Sequence, residues 1–179
     1  IPAAGGSKEM VLRSMEKSET IDQFLPHLQK SFETIVMAKI STSGLEAQKM
    51  GFMRLKDSIS MNPEHLIADA KKQVLYLVRE GYQKPKPPKR VFGLGRPALS
   101  NLKVGMYQML KGGYISQYDF HLGSKLAYVL CGGYLANPQN ITEQYLLDLE
   151  KEAFMSLCGE QKSLERIKYM LQRGKPLKN

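Results

Sequence analysis

A mainly helical fold is predicted, and three observations predict it. Apolar residues recur at helical spacing through almost every segment of the 179-residue chain. Helix-start signals precede those segments (Thr20 with Gln23, Ser43 with Glu46, Asn62 before Pro63), and glycines stand where they end. At most one short strand is allowed, near residues 52–61, where Ile59 and Met61 alternate with Ser58 and Ser60. Hydrophobic residues make up 42% of the chain and charged residues 24%, a balance that favours folding over disorder. A chain of this length buries about 70% of the surface it exposes when unfolded, so no staples are needed.

In chain order, residues 6–17 place Met10, Leu12 and Met15 among polar neighbours, a short and weakly amphipathic helix. From Thr20 onward, Ile21, Phe24, Leu25, Leu28, Phe32, Ile35 and Val36 form an apolar stripe. Pro26 lacks an amide proton and crowds the preceding turn, so the main helix is expected to begin there, with residues 20–25 as a turn before it. Ser43 and Glu46 open a two-turn helix that Gly51 ends. Asn62 as cap, Pro63 at the first position and Glu64 in the first turn begin a long helix carrying Leu66, Ile67, Ala70, Val74, Leu77 and Val78, closed by Gly81.

The stretch KPKPPKR, residues 84–90, holds three prolines and four basic residues and reads as an extended linker. Helices then follow over residues 97–111, 117–130, 141 or 142 to 158, and 163–173, with glycines at 112, 113, 132, 133 and 174 as stops. Leu122, Leu126, Val129 and Leu130 define one apolar face, and Tyr145, Leu146, Leu149, Ala153 and Leu157 another. The expected organisation is residues 1–83, a linker over 84–96, and a helical module over 97–179, with no internal repeat.

The 26 basic and 17 acidic residues give a net charge of +9, which suits anionic partners in general. No apolar run is long enough to span a membrane, and the first residues lack the pattern of a signal peptide. Cys131 and Cys158 form no metal-ligand or disulfide pattern, which points to a reducing compartment, the cytoplasm, and to no metal. The chain begins IPAAGG without an initiator Met, on a motif that normally follows other residues, and is expected to be a fragment.

That opening is the most informative stretch. Pro2, Ala3, Ala4, Gly5 and Gly6 precede a helix, so backbone can approach a ligand closely while helix N–H groups face an oxygen or anion. A plain turn before a helix explains the same residues. FGLGRP, residues 92–97, has only GxG without a preceding strand or third glycine, and reads as a lead into a helix with Pro97 first. The basic linker is either a phosphate clamp or a solvated spacer, and the spacer is the simpler reading. His27, His65 and His121 lack metal-ligand spacing, and His121, beside Asp119 at the front of a helix, reads as a hydrogen-bonded structural histidine. No acid/base pair or activated nucleophile is evident.

IPAAGG ahead of a helix, followed downstream by SGLEAQKMGF at residues 43–52, resembles the second half of the crotonase (enoyl-CoA hydratase/isomerase) fold. There the first motif is typically IPGAGG, and a segment like SAEEALEMGLV follows. The tail from Tyr145 to Asn179 resembles the end of bacterial 3-hydroxyacyl-CoA dehydrogenases in which dehydrogenase domains precede a crotonase-like domain. Together these cover essentially the whole chain, and the tail is the more specific part.

The resemblance implies the helical C-terminal portion of a crotonase-like fold and a place in fatty-acid β-oxidation. Such enzymes add water to an enoyl-CoA and oxidise the 3-hydroxyacyl-CoA with NAD. In crotonases two backbone N–H groups hold the thioester oxygen as it becomes an enolate, and glutamates handle the proton and the water. Those groups lie upstream of the motif that opens this chain, so no catalytic residue is carried over, and NAD is expected in upstream domains only. Pro2, Ala3, Ala4, Gly5 and Gly6 are the positions carried over, as wall of the acyl-CoA site. Ala3 departs from the family's glycine and adds a methyl group where close approach matters. The implied partners are an acyl-CoA, upstream domains of the same protein and further copies in a homo-oligomer, with no membrane or nucleic acid, and the segment by itself is expected to be inactive. Two alternatives stay open: a helical interaction module without ligand, and a basic nucleic-acid binder. Against the latter, no stretch interleaves aromatic and basic residues.

Overall fold

The computed structural model describes residues 5–86 and 91–179. Among them are eight α-helices: α1 (Gly6–Glu16), α2 (Ile21–Val36), α3 (Gly44–Met50), α4 (Leu66–Arg79), α5 (Gly95–Lys111), α6 (Gln117–Leu130), α7 (Glu143–Cys158) and α8 (Gln161–Arg173). A 3₁₀ turn, Pro63–His65, leads into α4. Two strands, β1 (Val91–Gly93) and β2 (Gln139–Ile141), pair antiparallel with Val91 opposite Ile141 and Gly93 opposite Gln139. The chain divides into two compact units, Ile1–Lys39 with Arg90–Asn179, and Ile40–Lys89.

The expected mainly helical character holds, with two corrections of place. No strand forms over residues 52–61. The Asp57 carboxylate accepts the Arg54 N–H at 2.7 Å, and the Gln48 side-chain amide donates to the carbonyls of Arg54 and Asp57 at 3.3 and 3.1 Å. These local bonds satisfy backbone groups that a strand would offer to a neighbour. The strands instead form at 91–93 and 139–141, three residues each, too short for any alternation to register.

The second correction concerns α2, which starts at Ile21 and carries Pro26 at its sixth position. The Thr20 hydroxyl accepts the Gln23 N–H at 3.3 Å, and the Gln23 side-chain carbonyl accepts the Glu19 N–H at 2.9 Å. This cap, together with burial of Phe24, Leu28 and Phe32, outweighs the bond that proline cannot donate. The cap signals at Ser43 and Asn62 are met as expected: their side chains accept the N–H groups of Glu46 and Glu64 at 3.1 and 3.0 Å.

In the first unit the largest fully buried side chains are Val11, Leu28, Met106, Leu130, Cys131 and Leu146, from five helices and the residue after α6. α1 and α2 meet at a buried hydroxyl pair, Ser14 with Ser31 at 2.8 Å, and Ser14 also donates to the Met10 carbonyl at 2.7 Å. α5 and α6 approach where Gly123 lies under Met106. The buried side of α6 therefore includes Gly123 and Ala127, while Leu122 and Leu126 of the expected apolar face are half-buried. In the second unit no residue of α4 is buried, and Leu66, Ile67, Val74 and Val78 are each more than half exposed.

The junction between β1 and α5 is built against the loop after α6. The Gly95 N–H donates to the Cys131 carbonyl and the Arg96 N–H to the Leu135 carbonyl, both at 2.8 Å. α5 consequently begins at Gly95, and Pro97 takes its third position rather than the expected first. Of the proline-rich linker, residues 84–86 have no regular structure, and residues 87–90 lie outside the described residues.

Candidate functional site

Of the five positions singled out at the start of the chain, Pro2, Ala3 and Ala4 lie outside the described residues, and Gly5 and Gly6 form the entry to α1. Gly5 adopts φ +114°, a conformation that disfavours any side chain. Its N–H donates to the Glu150 carboxylate at 3.2 Å, and the Lys8 N–H donates to the other oxygen of that carboxylate at 3.4 Å. A negative group at a helix N-terminus is what the unsatisfied amides and helix dipole favour, and α7 supplies it from within the chain. Beside it the Lys8 ammonium bonds Glu9 at 2.6 Å and Glu143 at 3.1 Å. Burial lowers the Lys8 pKa, but these two carboxylates outweigh it and hold it above the ordinary lysine value. Glu143, Glu150 and Lys8 thus tie α7 to the first turn of α1, a role the glycine motif did not announce.

A second polar cluster joins α6 to α8. Ser116 and Asp119 form a reciprocal cap, with the Asp119 N–H to the Ser116 hydroxyl at 3.1 Å and the Ser116 N–H to the Asp119 carboxylate at 3.0 Å. The other Asp119 oxygen accepts from Arg166 at 2.7 Å, and the Arg166 Nε donates to the Asn179 side chain at 2.8 Å. The Tyr118 hydroxyl donates to Glu160 at 2.9 Å and shares a 2.8 Å hydrogen bond with Ser163. His121 bonds Glu160 at 2.8 Å and stacks on Tyr118 with centroids 5.7 Å apart.

His121 is hydrogen-bonded, with Glu160 rather than the neighbouring Asp119 as its partner. Sequence reasoning missed Glu160, Ser163 and Arg166. Their i, i+3, i+6 spacing, which sets one polar side on α8, was the available signal. The hydrogen bond from His121, then that from Tyr118, lowers the Glu160 pKa. The cluster ties α6 to α8 through Tyr118, His121 and Asp119 on one side and Glu160, Ser163 and Arg166 on the other.

His27 and His65 stand apart from both clusters. Among the described residues no group of three or more His, Cys, Asp or Glu side chains is placed to hold a metal. Cys131 is fully buried, and burial pushes its thiol up to about 12. The GxG at Gly93 and Gly95 does not cradle a dinucleotide, because the backbone of residues 131–135 occupies that side; a Cβ on Gly132 would sit 2.9 Å from the Gly93 Cα. Among the described residues no helix is long and apolar enough to cross a membrane.

No protein-family model matches the chain, and no solved structure matches it. The chain is similar to a probable 3-hydroxyacyl-CoA dehydrogenase of Bacillus subtilis (strain 168), with 41% identity over all 179 residues, and it spans 22% of that relative's length.

Proposed function

We propose that the chain is a segment of a 3-hydroxyacyl-CoA dehydrogenase of fatty-acid β-oxidation, which contributes acyl-CoA pocket wall and subunit contacts and holds no complete active site. The observation that carries this reading is the 41% identity over the whole chain to the Bacillus relative. The polar clusters described above support it, since each ties helix to helix. In this reading NAD binds upstream domains, residues 1–83 form the C-terminal half of a crotonase-like core, and the assembly is a cytoplasmic homo-oligomer. Assays of the purified chain for crotonyl-CoA hydration and for NAD-linked oxidation of a 3-hydroxyacyl-CoA are expected to give background rates. Substantial turnover in either would overturn the reading.

A helical interaction module without ligand is the second reading, favoured by the exposed apolar side chains of α4. Calorimetric titration with an acyl-CoA separates the two: heat of binding supports the pocket wall, and silence supports the interaction module.

A further inference from the structure

Helix α8 docks on its unit by its polar side. Its half-buried residues are Ser163 and Arg166, held by Tyr118 and Asp119 of α6 at 2.8 and 2.7 Å, and no residue of the helix is buried. Leu164, Ile167, Met170 and Leu171 recur at i, i+3, i+6 and i+7, so they share another side. That side is open: Leu171 is 82% exposed and the other three are 45–48% exposed. A surface helix ordinarily turns such a stripe inward and its polar side outward, and α8 does the reverse.

The charge around the stripe points to what covers it. Residues 161–179 hold six basic side chains and one acidic, Glu165. Arg166 is engaged by Asp119, and the Lys162 ammonium lies 5.5 Å from the centre of the Tyr118 ring. Among the described residues Lys168, Arg173, Lys175 and Lys178 form no ion pair. Lys168 borders the stripe, four residues after Leu164 and three before Leu171. Three of these four cations are lysines, a residue depleted from protein interfaces. In a wet headgroup layer its long stem can run along apolar surface while the ammonium stays hydrated. Lysine heads around four aliphatic side chains therefore match an anionic bilayer rather than a protein groove.

We propose that α8 lies flat on an anionic bilayer, with Leu164, Ile167, Met170 and Leu171 at the acyl boundary and Lys168, Arg173, Lys175 and Lys178 on the headgroups. Its 13 residues make a rod about 20 Å long, too short to cross the hydrocarbon core, so the contact is peripheral and reversible. This surface contact departs from the expectation of no membrane partner, which rested on the lack of a spanning run. The inference stands apart from the reading of the chain as a dehydrogenase segment, since it uses none of that comparison.

Co-sedimentation of the 179-residue chain with vesicles tests it. Vesicles of equal parts phosphatidylcholine and phosphatidylglycerol are expected to bind about tenfold or more tightly than phosphatidylcholine alone, and added salt should weaken that binding. Leu171→Ser, and Lys168→Glu combined with Lys175→Glu, are each expected to weaken it about tenfold. All three positions are exposed, so circular dichroism and melting should stay unchanged. The chain has no tryptophan, so one introduced at a time reports its own surroundings. Leu171→Trp should shift its emission to the blue on the anionic vesicles, whereas Tyr169→Trp, on the opposite side of α8, should not. No binding to the anionic vesicles, equal binding to both kinds, binding unaffected by the variants, or equal shifts of the two tryptophans would each overturn the proposal. So would a dimer that Leu171→Ser dissociates while the vesicles stay unbound, which would give this face to a second copy of the chain.

Discussion

A Cβ atom placed on Gly95 would lie 2.3 Å from the carbonyl oxygen of Leu135. The glycine at the start of α5 is thus fixed by a backbone, which cannot rotate away as a side chain can. It also has φ +65°, so Gly95→Ala meets both strain and collision. We expect a loss of about 3 kcal/mol or more in urea unfolding. Gly113, at φ +74° with open space around it, isolates the strain, and Gly113→Ala should cost only about 1 kcal/mol. Gly105, inside α5 with nothing near its Cβ position, should gain up to about 1 kcal/mol as alanine. Equal effects at the three sites would refute the close approach of Gly95 to Leu135.

Two residues past the end of α2, Ala38 adopts φ +48°; there the Lys39 N–H bonds the Thr34 carbonyl and the Ala38 N–H bonds the Ile35 carbonyl, both at 3.0 Å. The same pair of bonds closes α3 at Gly51. Because Ala38 is the one non-glycine residue at positive φ among the described residues, Ala38→Gly relieves strain and should stabilise the chain by about 0.5–1 kcal/mol. A lower thermal midpoint for that variant would contradict the assignment.

Asp119 joins the α6 cap to Arg166. Burial raises its pKa, but the Ser116 N–H, then the Arg166 guanidinium and the Ser116 side chain, pull it below the ordinary carboxylate value. A carboxylate whose folded pKa lies below its unfolded value stabilises fully above the unfolded value, near 3.9, and loses that contribution as pH falls through the folded one. Glu160, lowered by His121, acts in the same sense. Stability measured in urea should therefore decline between about pH 5 and about pH 2. Asp119→Asn should lose about 1–2 kcal/mol at neutral pH and flatten that decline. An unaltered slope would show that this carboxylate is not what titrates.

The Glu150 carboxylate takes two amides at the start of α1, and Glu150→Ala leaves both without it. A loss of about 1 kcal/mol is expected, with Glu150→Gln, which keeps one acceptor, losing less. Amide exchange at Gly5 and Lys8 gives the check: it should quicken in the alanine variant, whereas unchanged protection would separate Glu150 from the α1 cap.

Cys131 and Cys158 should label at very different rates. With its thiol pushed to about 12, Cys131 is ionised at pH 8 to about one part in ten thousand, and it is fully buried. Cys158 is half-buried at the end of α7 and should react first with an aromatic disulfide reagent, Cys131 only at the rate of unfolding. Two equally fast thiols would contradict the packing of α6 on the core.

What the sequence by itself determined was local. The caps at Thr20, Ser43 and Asn62 and the glycine stops at Gly51, Gly81 and Gly174 are choices made within a few residues, where side-chain oxygens and positive φ are decided before any long-range contact. Tertiary structure decided the rest. The apolar residues of α4 recur at helical spacing and are exposed, whereas Gly123 and Ala127 carry little hydrophobicity and are buried, because small residues let α5 and α6 come close. β1 and β2 exist only because the fold brings residues 91–93 beside 139–141, and the anion for α1 comes from Glu150, more than 140 residues along the chain. Pairing of that kind depends on which surfaces meet, a property that hydrophobic spacing within one segment does not encode.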